Sequence, residues 1–156
     1  MYLRWFTSIL FLLILSGCNI QNLQPGSDLS HLVEVQKRAH DAYQNEDWQT
    51  AEKEYLYLTK NYPAEIEPWF RLGNIYARTN RLDAAVAVYR EALLRDQKNS
   101  KIWHNLGIVH LRQATHTFIE MQEYTDVNDP LNVRARLAVD AVDELMANRF
   151  GAAVPE

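Results

Sequence analysis

The sequence predicts an all-α fold built from stacked antiparallel helix pairs, and three observations carry that prediction. Glycine and proline number only five each in 156 residues, while alanine, leucine, glutamate and arginine are plentiful, a balance that suits helices better than strands and turns. Apolar residues recur at helical spacing along most of the chain beyond residue 31. The chain also repeats itself: Trp69, Leu72 and Gly73 return 34 positions later as Trp103, Leu106 and Gly107, and Tyr76 is answered by His110. With 47% hydrophobic residues there is material for one real core, so a single folded domain is expected rather than disorder.

Taken from the N-terminus, the first element is not part of that domain. Arg4 precedes the apolar run Trp5 to Leu15, which leads into Ser16, Gly17 and the single cysteine, Cys18. This is the layout of an export signal over residues 1–17. As a helix the run rises only about 16 Å, roughly half the hydrocarbon core of a bilayer, so a lasting span is disfavoured. The quartet Leu15, Ser16, Gly17 and Cys18 resembles the bacterial lipobox. The resemblance implies that Cys18 receives a diacylglyceryl group and becomes the processed N-terminus, with a covalent lipid and no other cofactor. An ordinary signal peptide or an uncleaved anchor with an incidental cysteine is the plainer alternative. Asn19 follows where the sorting rule of enteric bacteria reserves aspartate for retention at the inner membrane, so attachment to the outer membrane, facing the periplasm, is the expectation. Acyl chains contribute about 0.8 kcal/mol per buried methylene, enough for durable attachment. Loss of Arg4 with the signal would make the mature chain more acidic than the formal net charge of −4.

Residues 18–30 are the acylated cysteine and a tether: Asn19 to Ser30 is polar, with Pro25 next to Gly26 and no sustained periodicity. The helical domain is expected over 31–150. Trp69, Leu72, Gly73 and Tyr76 stand at i, i+3, i+4 and i+7, one face of a helix, and Ala85, Tyr89 and Ala92 follow as the face of a second. This W-x2-L-G-x2-Y pattern with its later Ala, aromatic and Ala resembles the tetratricopeptide repeat (TPR), which implies a short TPR-like α-solenoid closed by a C-terminal capping helix. Ala51 and Tyr55 match Ala85 and Tyr89 one period earlier, Trp48 matches Leu82, and Pro63 supplies a closing proline. Val35, Arg38, Ala39 and Ala42 replace the signature residues of the first helix, so that unit rests on its second helix. Repeat one is placed at Leu32 to Glu65 and repeat two at Ile66 to Asn99. Gly73 is expected to pack closely with Ala85, and Asn45 and Asn80 to supply the left-handed turns within each pair.

A degenerate third unit occupies 100–128. Ile119, Glu123 and Asp126 stand where small and aromatic residues would be needed, and no turn signal interrupts Arg112 to Thr117. Trp103, Leu106, Gly107, His110, Leu111, Ala114, Phe118 and Met121 form one stripe instead, which predicts a long helix over Lys101 to Tyr124 with that stripe buried. Asp129 and Pro130 read as an N-cap and first helical residue, opening a capping helix over 130–149 that buries Leu131, Ala135, Ala138, Val142 and Leu145. Gly151 is expected to end it. Stacked pairs need such caps because no pair buries its own apolar face.

Catalytic or metal chemistry finds no support. His104, His110 and His116 are six apart, so each step turns about 120° further round the helix and no two share a face. His31 and His40 add no ligand spacing, one cysteine makes no thiolate cluster, and no HExxH, phosphate loop or serine elbow occurs. His110 is expected as a packed core residue rather than a ligand, and Glu120 and Glu123 as a solvated face. No basic stripe suits nucleic acid.

Binding is better supported. In tetratricopeptide proteins the first helices of successive repeats line a concave groove for a peptide or a partner helix. The resemblance then puts the groove on Gln36 and His40, on Phe70, Asn74 and Arg78, and on Lys101, His104 and Ile108. Phe70 is the expected apolar anchor, although a single exposed apolar side chain is ordinary on any surface. The carboxylate clamp of some family members does not carry over: Lys101 fits it, whereas Gln36, His40, Arg71 and Asn105 do not. Arg71, Arg78, Lys101 and Arg112 still place positive charge there for an acidic or C-terminal segment. The expectation is a lipid-anchored scaffold that holds a protein or peptide partner in an envelope machine such as a pilus, secretion or cell-wall apparatus. A homo-oligomeric structural subunit is the rival, and an enzyme or metal carrier a weaker one.

Overall fold

In a computed structural model the described residues are 25–147, and they form six α-helices and no strand. These are α1 (Pro25–Gln44), α2 (Trp48–Asn61), α3 (Ile66–Arg78), α4 (Leu82–Arg95), α5 (Ser100–Tyr124) and α6 (Pro130–Leu145). The chain divides into two units within α1, between Leu32 and Val33. Of the first unit only the opening of α1 is described, and the lipobox and Cys18 lie outside the described residues, as do Arg149 and Gly151. Helix begins at Pro25, inside the expected tether. Proline is well suited to a helix start, because the N–H it lacks has no partner within the first turn.

In the second unit each helix packs on the next from α2 to α6, and α3 also touches α5. The turns within both helix pairs are alike. Asp47 N–H reaches the Ala42 carbonyl at 2.9 Å and Arg81 N–H the Tyr76 carbonyl at 2.8 Å, which closes each first helix over a residue with positive φ. Those residues are Asn80, at φ 59°, and Glu46, at φ 57°. Asn45 is therefore not the turning residue of repeat one; the 34-residue register places it one position later. A glutamate there works against its Cβ, and Glu46→Gly should raise stability by up to about 1 kcal/mol. A urea midpoint that falls in this variant would contradict the strain argument.

Side-chain caps reinforce the turns. Asp47 accepts from Thr50 N–H at 3.1 Å, and Asp129 accepts from Leu131 N–H at 2.7 Å with Pro130 in the first turn. Between repeats, Arg81 grips Glu52 with two hydrogen bonds of 2.8 and 2.5 Å and lies 4.4 Å over the Tyr76 ring. That bond to Arg81 holds the Glu52 carboxyl below its ordinary pKa.

The core is continuous across α3, α4 and α5. Phe70, Leu82, Ala85, Val86, Tyr89, Ala92, Leu93, Ile102, Leu106 and Val109 form one buried cluster. In repeat one Val35, Ala39 and Ala42 are buried, as are Ala51, Tyr55 and Leu58. Gly73 faces the ring of Tyr89 rather than Ala85: a Cβ on Gly73 would lie 2.5 Å from Tyr89 Cε1. Ala85 is fully buried alongside.

The long helix α5 buries a different face from the expected one. Ile102, Asn105, Leu106, Val109 and Thr115 are inside, while Trp103, Gly107, His110, Ala114 and Phe118 are exposed. His110 is thus a surface residue, its Nδ1 3.0 Å from Gln113 Oε1. The reason is topological. The signature face of a first helix is buried by the second helix of its own pair, and α5 runs straight on instead of turning back. In α6 Ala135 is buried, Ala138 and Val142 are half-buried, and Leu131 and Leu145 are exposed. Asn132 is buried in their stead, its amide donating to Thr125 Oγ1 at 2.8 Å.

Candidate protein-binding face

The first helices α3 and α5 lie close enough to share a polar seam. Tyr89 on α4 donates its hydroxyl to Asn74 Oδ1 at 2.6 Å, and Asn105 Nδ2 donates to the same oxygen at 2.9 Å. Burial pushes the Tyr89 phenol far up, so it stays protonated and keeps donating. The three side chains are buried, and Asn105 Oδ1 has no hydrogen-bond partner among the described residues. Leaving such an acceptor unmatched costs about 1–3 kcal/mol.

Two hollows meet at Asn105. One, of about 100 Å³, is bordered by Asn74, Arg78, Asn105, Ile108 and Arg112 with Ala77, Tyr89 and Val109 behind them. The other, of about 370 Å³, is bordered by Ser100, Lys101, His104 and Asn105. Of the residues expected in the groove, Asn74, Arg78, Lys101, His104 and Ile108 are brought to these hollows. Gln36 and His40 are exposed on α1 and border neither.

Phe70 departs from expectation: it is 6% exposed, with its ring centroid 6.3 Å from that of Tyr89. A stripe drawn for one helix pair underestimates burial in a solenoid, since α3 is packed on α2, α4 and α5 together. Asn74 is likewise buried, and comes to the surface only at its hollow.

The cations divide by role. Arg71 is bound to Glu67 at 2.6 Å and stacked 4.9 Å over Tyr43, so it serves packing. Arg112 spans to α3, donating to the Ala77 carbonyl at 2.7 Å and to Asn80 Oδ1 at 3.0 Å, where it meets the negative end of that helix. Arg78 is exposed, 5.5 Å over the Trp48 ring, and Lys101 is exposed at the start of α5. Asn105 and Tyr89 as site residues were not read from the sequence, and Arg112 was expected there only as one of four positive charges. Asn74 and Asn105 are 31 apart, not 34, so no repeat register links them.

Among the described residues no group of three or more His, Cys, Asp or Glu could hold a metal ion, and no helix is long and apolar enough to cross a membrane.

A match to a known family runs from within α1 through α4 and stops at the first residue of α5. Residues 37–100 match the family described as tetratricopeptide repeat. A stretch of 60 residues is 37% identical to the general transcriptional corepressor ssn6 of Schizosaccharomyces pombe (strain 972), a match that covers 37% of this chain and 5% of that protein. The repeat match, six helices and the absence of strands among the described residues together show the architecture of a short TPR-like α-solenoid.

Proposed function

We propose that this protein is a binding scaffold that holds an extended segment of another protein against α3 and α5, tethered through acylated Cys18 to the periplasmic face of a bacterial outer membrane. Tetratricopeptide repeats act in protein–protein interaction, which is the coarse reading that the repeat match supports. The observation that carries the finer one is the buried, unmatched Asn105 Oδ1 between two hollows. A turn of the Asn105 side chain toward either hollow would offer this oxygen to a backbone N–H of a bound segment, and Ile108 offers an apolar neighbour. Arg78 and Lys101 on either side favour an acidic or C-terminal segment. The membrane tether rests on the quartet Leu15 to Cys18, and service in a pilus, secretion or cell-wall apparatus follows from that location.

A photo-crosslinking residue at Ile108 tests the binding face in intact cells. It is expected to trap one partner protein, identifiable by mass, whereas the same residue at Leu137, which is 63% exposed on α6, is not. Charge reversal at Arg78 and Lys101 should abolish the adduct, as loss of anchoring contacts removes about 2 kcal/mol or more of affinity. Adducts that survive both reversals would move the binding face elsewhere. In the same cells Cys18→Ser should shift the protein out of the membrane fraction and change its mass. Unchanged partition together with unchanged mass would defeat the tether.

A further inference from the structure

In repeat two the outer side of α3 is covered by α4. The Tyr89 ring lies against Gly73, Ala85 and Ala92 are fully buried, and Arg95 sits 4.3 Å over the Trp69 ring. Trp69 is posed for this by its Nε1, which donates to the Pro63 carbonyl at 3.1 Å. The same face recurs on α5. Trp103 Nε1 donates to the Gln97 carbonyl at 2.9 Å, the position 34 residues beyond Pro63, so the tryptophan is fixed in the same way.

What is missing is the covering helix. Among the described residues a Cβ on Gly107 would meet nothing within 4 Å, and Trp103 is 54% exposed. Leu93, Leu94, Trp103, Leu106, Gly107 and His110 border an open hollow of about 560 Å³ between α4 and α5. Helix α6 serves another side, since the cavity it shares with α5 is bordered by Arg112, Thr115 and Ile119, roughly 150° round the helix from Gly107 and His110.

We propose that this hollow is a docking site for one amphipathic helix of a partner protein, carrying a small residue, an aromatic four positions on, a second small residue three beyond, and an arginine or lysine three beyond that. The spacing is that of Ala85, Tyr89, Ala92 and Arg95, because the socket is the α3 face one repeat later. The aromatic ring would seat on Gly107, the small residues would allow close approach, and the cation would cover Trp103. This chain's own helix of that pattern, α4, is already buried against α3, and α6 contains no aromatic residue, so a second copy has no such helix to lend. The site is separate from the hollows around Asn105.

The test uses a fluorescent peptide with the sequence Leu82–Arg95, titrated into the full chain in detergent and followed by anisotropy. Saturable binding is expected. It should weaken at least about tenfold with Tyr89→Ala in the peptide, and equally with Gly107→Leu or His110→Glu in the protein. Both protein positions are exposed, so helicity should hold, and Lys101→Glu on the other face should leave binding intact. No saturable binding, or binding that persists in both Gly107→Leu and His110→Glu, would overturn the proposal. So would sedimentation showing that the protein alone is a dimer which Gly107→Leu dissociates, since the occupant would then be a second copy.

Discussion

Gly73→Leu is expected to lower stability by at least about 1–3 kcal/mol, whereas Gly107→Leu, one repeat later in the same pattern, is expected to raise it by up to about 1 kcal/mol. The two glycines look identical in sequence and differ in what lies beyond them. At Gly73 even a methyl group would sit 2.5 Å from the Tyr89 ring. That ring is buried and held by Asn74, so it has nowhere to move without opening the α3–α4 interface. At Gly107 the added side chain meets open space, and the remaining effect is the better helix propensity of leucine. Urea unfolding followed at the helical circular dichroism band measures both through the midpoint at constant slope. Equal losses for the two variants would mean that Gly107 is covered, and would remove the basis for a vacant helix site.

Phe70→Ala is expected to cost about 3–5 kcal/mol, the largest single effect we foresee. Phe70 is 6% exposed and belongs to the cluster that joins α3, α4 and α5, so truncation leaves a cavity at the junction of two repeats. Lys101→Glu, by contrast, changes an exposed residue and should alter stability by no more than about 0.5 kcal/mol. The pair separates packing from binding: the first variant loses its fold and with it any partner, the second loses the partner alone. A Phe70→Ala protein that melts like the parent would place Phe70 on the binding face after all.

The sequence alone determined the elements. Spacing, caps and the 34-residue period are local properties, written within one or two helical turns. For that reason Trp69, Leu72, Gly73 and Tyr76, the turn at Asn80, the start of α6 at Asp129 and Pro130, and the uninterrupted course of α5 were all legible. The same local logic reached residues that border the hollows at Asn105, because Arg78, Lys101, His104 and Ile108 lie off the signature stripe of their helices. Only the tertiary structure decided which apolar face found a partner. Trp103, Gly107 and His110 carry the pattern of a buried stripe, yet they are exposed because the helix that buries such a stripe would have to turn back after His110 and does not. Phe70 lies off the stripe and is buried because its helix has three neighbours rather than one. The meeting of Tyr89, Asn74 and Asn105 depends on how α3, α4 and α5 pack together, a relation between side chains that no period in the sequence encodes.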